Sequence, residues 1–290
     1  MRKALLGSVL ASGLFLSAAP AYAQFGGGCT QEDLEMATAA YIEAQGKGDP
    51  TPIPLGTWVT YNEQMELGTM STGVLSKPLK IDFHRTIYDP EQCQTFTEVI
   101  VTDPAHPYVL GVTLTVRGGT VGNIDMLATD KGDWLFNAQR TLDYSKAENW
   151  DVIPEGQRDS RQTLIAAANA YLDLFNDPKV EVPWGAPCAR LEGGIYSAKS
   201  STPGEVSPED SCNVGVPSGV PMIQRNYVVD EARGAVSVAL RMGMNERPDI
   251  HTFRVEGGKI RYVHTLTVCA EDHCGFKYDE NTKKTLGITD

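Results

Sequence analysis

The ionisable side chains best placed for chemistry are His264 and Asp125, because the chain sets them at the end of nearly the same phrase. VRGGTVGNID (116–125) and VEGGKIRYVH (255–264) both read as strand, Gly-Gly turn, strand. Strict alternation puts Ile260, Tyr262, His264 and Leu266 on one face of the second copy, and Val121, Asn123, Asp125 and Leu127 on the matching face of the first. A histidine among apolar neighbours can act as a general base near neutral pH. A desolvated aspartate acquires a raised pKa suited to acid/base work. The bland alternative is a hydrogen-bonded core or rim histidine and an exposed aspartate.

Two further constellations stand beside this pair. In IDFHRTIYD (81–89) Asp82, His84 and Thr86 alternate to one face, so His84 with Asp82 is a candidate catalytic assistant or a strand-edge hydrogen bond; Gln224 replaces His84 in the second half. In VPWGAPCARLEGGIY (182–196) Trp184, Arg190, Glu192 and Tyr196 crowd a segment containing Cys188. Arg190 and Glu192 lie two apart in a strand, where they either pair with each other or hold a polar substrate. Arg225 and Tyr227 share a face and are expected at the same mouth, and Tyr262 is expected to orient a substrate oxygen. His106 reads as surface. His251 is placed to approach His264 across a hairpin, but with Glu256 it lacks HExxH-type spacing, so no metal is expected. Neither a G-x-S-x-G elbow nor a phosphate-binding glycine loop occurs, so no cofactor is expected.

The elements that must position these residues occur twice. Leu34, Ala37, Ala40 and Tyr41 recur as Leu164, Ala167, Ala170 and Tyr171 at identical spacing, one stripe of an amphipathic helix. Asp49-Pro50 and Asp177-Pro178 follow, then Pro54-Leu-Gly56 and Pro183-Trp-Gly185, then HRTIYD and QRNYVVD. Ordered landmarks of this kind mark a tandem duplication, residues 27–148 and 156–272, with a polar connector at 149–155 and a loose polar tail from 273 to 290. Each half is expected to be α+β, helices first and an antiparallel meander after, with helices covering one sheet face. Residues 198–219, rich in Pro, Ser and Gly, read as a long inserted loop.

Residues 1–23 carry Arg2 and Lys3, an apolar run and Ala21-Tyr22-Ala23, the form of a secretory signal peptide. A secreted chain follows, extracellular or, in a bacterium, periplasmic; no Asn-x-Ser/Thr sequon is present. The formal net charge of −12 disfavours nucleic acid and anionic membrane as partners. Six cysteines in an exported chain imply three disulfides. Chain order suggests Cys29 with Cys93, Cys188 with Cys212 and Cys269 with Cys274, a crossed pairing in the second half being the alternative.

The helix-first halves resemble the cone-shaped NTF2-like fold, the superfamily of scytalone dehydratase, ketosteroid isomerase and SnoaL-type cyclases. KIDFHRTIYD, TFTEVIVTDPAHPYV, GDWLFNA, VPWGAPCARLEGG, NYVVDE and HTFRVEGGKIRYVHTLTVC resemble in particular a secreted, mostly fungal family of tandem proteins. The resemblance implies a strongly curved sheet around a mostly apolar pocket, and pairing of domains through their sheets as a homodimer or intramolecular pseudo-dimer. The expected function is a cofactor-independent isomerase, dehydratase, cyclase or lyase for a small apolar or aromatic metabolite. His264 would be its base and Asp125 or His84 would assist. The rival is a secreted module that only binds a small molecule or a host or cell-wall partner.

Overall fold

The structure, a computed structural model, describes residues 28–198 and 202–286. The signal-peptide segment lies outside the described residues. Each half opens with a capped helix. Thr30 caps α1 (Gln31–Lys47) by accepting from the Asp33 amide, while Asp33 accepts from the Thr30 amide in return, and Gly48 ends the helix at φ 64°. Ser160 caps α3 (Arg161–Leu174) in the same way from one side. Leu34, Ala37 and Tyr41, and their counterparts Leu164, Ala167 and Tyr171, are buried against the sheets.

In the first half the strands are β1 (Leu55–Glu63), β2 (Glu66–Leu67), β3 (Phe83–Asp89), β4 (Gln94–Val101), β5 (Tyr108–Arg117) and β6 (Thr120–Thr129), followed by α2 (Ala138–Ala147). After α3 come β7 (Trp184–Glu192), β8 (Ile195–Tyr196), β9 (Met222–Asp230), β10 (Ala235–Met242), β11 (Arg247–Glu256), β12 (Lys259–Thr267) and the short α4 (Glu280–Leu286). Two six-stranded sheets result, ordered β2-β1-β6-β5-β4-β3 and β8-β7-β12-β11-β10-β9. The fold is therefore mixed α+β, and the identical strand orders are consistent with two tandem domains. The expected antiparallel meander is formed by β3 to β6 and by β9 to β12, but neither sheet is wholly antiparallel: β1 lies parallel to β6 and β7 parallel to β12, since the chain must cross the sheet once before the meander begins.

Each helix covers one face of its sheet, in cores holding Tyr41 with Leu110 and Tyr171 with Phe253. The opposite faces pack on each other. Ile87, Phe96, Ile100, Val109 and Leu127 of the first half meet Val228, Ala235, Ile250 and Leu266 of the second, giving the order helix, sheet, sheet, helix. Each Å² of apolar surface that the seam removes from water stabilises the pairing by about 25 cal/mol.

The connector is not a loose tether. Trp150 and Ile153 are buried, the Ile153 amide donates to the Ala232 carbonyl, and Trp150 belongs to the inter-sheet core. The tail is also anchored: Cys269–Cys274 closes a short loop, the His273 amide donates to the Gly132 carbonyl at 2.5 Å, and Phe276 sits edge-on to Trp134. Cys29–Cys93 ties α1 to the β3–β4 turn, and Cys188–Cys212 ties the long loop to β7. The chain-order pairing is the one formed.

Both GG hairpins turn as their sequence requires, with Gly118, Gly119, Gly257 and Gly258 at positive φ. Immediately after each turn the register slips. Val116 pairs with Val121 and Thr115 with Asn123, while Val255 pairs with Ile260 and Arg254 with Tyr262. The extra residues, Gly122 and Arg261, reverse the alternation beyond them. Ile260 therefore faces α3, whereas Tyr262, His264 and Leu266 face the other half. Val121 faces α1, whereas Asp125 and Leu127 face the seam.

Candidate active site

That bulge overturns the expected position of His264. Its ring is buried between the two sheets rather than inside its own half. Nδ1 lies 2.9 Å from Glu98 Oε1 of β4, and Nε2 lies 2.6 Å from Glu148 Oε2, just beyond α2. Arg85 Nη2 lies 2.7 Å from the other Glu98 oxygen. Its 3.2 Å approach to Nδ1 sets two donors together once the ring is charged, so the carboxylates are the ring's partners. Trp150 stands edge-on to the imidazole and under the Arg85 guanidinium, and Tyr196 and Trp150 both donate to Glu148.

Two cations and two carboxylates thus form a closed set. Burial would lower the His264 pKa, but Glu148 and Glu98 more than offset this and raise it to about 9. Burial likewise opposes ionisation of Glu98, which His264 and Arg85 nonetheless pull down to about 2. An imidazolium with both nitrogens engaged has no lone pair to accept a proton. His264 is a strut between the halves.

Other expected residues take up related duties. Asp125 occupies the seam position matching His264 and accepts from Asn62 Nδ2 at 2.6 Å and Asn123 Nδ2 at 2.5 Å. His84 is exposed on β3. Its proposed partner Asp82 instead accepts from the amide and hydroxyl of Thr102, each at 2.8 Å. Arg225 does not reach a mouth shared with Arg190. It donates to Asn169 and Asp173 of α3, and Tyr227 donates to the same Asn169 oxygen, so the two clamp the helix to β9. Tyr196 stacks on Tyr144 of α2 at 4.2 Å, and Tyr262 stacks on Trp150 at 5.8 Å. Both also line a surface cavity of about 280 Å³ beside β7.

The second-half interior does gather chemistry, from different residues. Arg190 and Glu192 pair on the face of β7 turned toward α3, the first of the alternatives their spacing allowed. Arg190 is buried, donates to the Gly215 carbonyl at 2.8 Å and lies over the Tyr171 ring. Trp184 meets Tyr171 edge-on. Opposite them on β11, His251 Nδ1 lies 2.5 Å from Asp249 Oδ1, and Thr267 donates to the other Asp249 oxygen.

His251 does not approach His264. It pairs with Thr265 while Thr252 pairs with His264, so the two imidazoles project from opposite faces. Sequence reasoning missed the Asp249–His251 pair because DIHTFRV gives no alternation; a strand covered on both faces is buried at every position. The Asp-x-His spacing was the available signal. Among the described residues, Tyr171 Oη, Arg190 Nε and Thr265 Oγ1 are buried without a hydrogen-bond partner, and all three belong to this interior. Burial raises the Tyr171 pKa, keeping its hydroxyl a donor.

The corresponding interior of the first half is plainer. The paired registers set Tyr61 where Arg190 stands and Val112 where His251 stands, with Glu63 matching Glu192. Comparison with known proteins adds one match: a family model described as Domain of unknown function (DUF8021) covers residues 157–267, the half that holds the Asp249–His251 pair. No curated protein matches the chain.

Proposed function

We propose that the protein is a secreted, cofactor-independent acid/base enzyme of NTF2-like architecture whose active site is the interior of the second half. The observation that carries this reading is the buried Asp249–His251 pair facing Arg190, Glu192 and the unpartnered Tyr171 hydroxyl. Asp249 holds the proton on His251 Nδ1, which leaves Nε2 as the base, the division of roles an aspartate imposes on a histidine in hydrolytic triads. Arg190 Nε and Tyr171 Oη are donors for an oxygen that gains negative charge when the base removes a neighbouring proton.

The flanking rings of Phe175, Phe253 and Trp184 favour a small, largely apolar or aromatic carbonyl or hydroxyl compound, to be isomerised, dehydrated or cleaved. The 202–221 loop, pinned by Cys188–Cys212 and seated on Arg190 through Gly215, closes the interior from above. Three disulfides fit an extracellular location, and among the described residues no helix is long and apolar enough to cross a membrane.

The test is a mass-spectrometric comparison of culture metabolites incubated with the wild-type protein, with His251→Ala and with Asp249→Asn. Conversion of at least one compound by the wild type, lost in both variants at unchanged circular dichroism, is the expected result. Equal conversion by His251→Ala would remove the assignment. A second reading, capture without turnover, is favoured by a cavity of about 400 Å³ between the two sheets, lined by Asp125 of one half and Arg241 of the other.

A further inference from the structure

The seam has two pseudo-equivalent positions, and only one of them is filled. Around His264 the first half supplies Arg85 and Glu98. The strand registers place Asn226 where Arg85 stands and Ala239 where Glu98 stands, so around Asp125 the second half supplies one amide and one methyl group. The space left is a cavity of about 400 Å³ between the sheets, within the range of small-molecule sites.

Its polar lining comes from both halves: Asn62, Gln94 and Asp125 on one side, Asn226, Ser237 and Arg241 on the other. Its apolar wall is Leu127, Val228 and Ile250. The carboxyl group of Asp125 is fixed by Asn62 and Asn123, and Arg241 closes the rim by donating to the Met65 carbonyl and to Glu66. Two rim residues without glycine's freedom, Met65 and Gln224, are held at φ 60° and 54°. Strain of this kind costs about 1–3 kcal/mol per residue and gathers at ligand clamps.

We propose that this seam cavity is a binding site for a saccharide-class ligand, a neutral or amino-bearing sugar of one or two rings. Carboxamides, hydroxyls and a carboxyl group offer donors and acceptors side by side, which is what a hydroxyl group, itself both donor and acceptor, requires. A sugar also carries a C–H face, for which the apolar wall is the complement. Nothing in the lining favours a phosphate or a carboxylate: Asp125 would repel it, and Arg241 is engaged with Glu66. The proposal is independent of the interior acid/base site, since Asp125 and Asp249 lie on opposite faces of different sheets.

Isothermal titration of the full chain against glucose, galactose, glucosamine, N-acetylglucosamine, cellobiose and chitobiose provides the test, with wild type, Ala239→Leu and Asp125→Asn in parallel. Ala239→Leu fills the cavity and Asp125→Asn changes one atom of its wall. We expect saturable binding of at least one sugar, weakened at least tenfold in both variants, while His251→Ala binds as the wild type does. Absence of binding by all six sugars overturns the proposal, as does undiminished binding in Ala239→Leu. If Ala239→Leu fails to fold, undiminished binding in Asp125→Asn does the same.

Discussion

Asp89 and Asp230 hold one another's strands. Asp89 Oδ2 accepts from the Val229 amide at 2.9 Å, and Asp230 Oδ2 accepts from the Tyr88 amide at 3.0 Å, so each carboxyl group caps the backbone just before the other. The exchange crosses the seam between β3 and β9 and is the clearest trace of two-fold symmetry in the molecule. Asp89 also receives Arg161 at 2.8 Å, which fixes the start of α3 to the first half. We expect Asp89→Ala to destabilise the protein by about 3 kcal/mol, since it strands buried donors and a guanidinium together. Asp230→Ala should cost less. Urea unfolding of both single variants and the double variant measures this, and strictly additive losses would show that the two sites are not coupled.

His264 gives the protein a pH signature. A folded pKa of about 9 against 6.5 for the free side chain means the stabilisation is complete below about pH 6.5 and disappears as the pH rises through 9. Glu98, held at about 2 against 4.5, acts at the other end: its contribution stands above 4.5 and fades as the pH falls toward 2. An NMR titration of the His264 ring should give a midpoint near 9; a midpoint near 6.5 contradicts the strut. His264→Ala leaves Glu98 and Glu148 facing each other in the seam and should cost about 3–5 kcal/mol.

The 24-residue span closed by Cys188–Cys212 should contribute about 3 kcal/mol through the unfolded chain. Its removal also frees the loop that sits on Arg190. In Cys188→Ser/Cys212→Ser, diethyl pyrocarbonate should modify His251, which is 2% exposed, far faster than in the wild type. Peptide mapping after brief treatment reads the difference, and equal rates would mean that the loop does not guard the interior.

Gly111 lies where the two sheets are in close contact. A Cβ there would stand 2.7 Å from Ile250 Cδ1, 3.1 Å from Phe96 and 3.2 Å from Leu266. The first of these is the flexible tip of a side chain, so Gly111→Ala should be tolerated with a small shift. Gly111→Val should force the sheets apart and cost about 1–3 kcal/mol, the usual range for overpacking. A melting temperature unchanged in Gly111→Val would show that the seam is slack.

Much of the scaffold is legible in the sequence. Leu34, Ala37 and Tyr41 declare their helix by spacing alone, and the shared Asp of HRTIYD and QRNYVVD marks the strand ends that clasp. The facing of β6 and β12 could not be read, because period-two alternation carries no sign of an inserted residue, and Gly122 and Arg261 each add one. Alternation alone therefore puts His264 on the same face as Ile260, whereas the inserted Arg261 turns it to the other. The active-site candidates on β11 were hidden for a second reason: Asp249, Thr252 and Arg254 are all buried, one face under a helix and the other under a neighbouring sheet, so polar residues there look no different from their neighbours.

The placement of Trp150 bears on what can be inherited separately. The recognisable sequence unit, residues 157–267, begins seven positions after this indole and includes neither it nor the opposing sheet. Expressed by itself, that unit would turn Val228, Ala235, Ile250 and Leu266 outward together with an unpaired imidazole. Gene fragments bearing the motif should therefore yield insoluble product unless a second copy, or another partner sheet, travels with them.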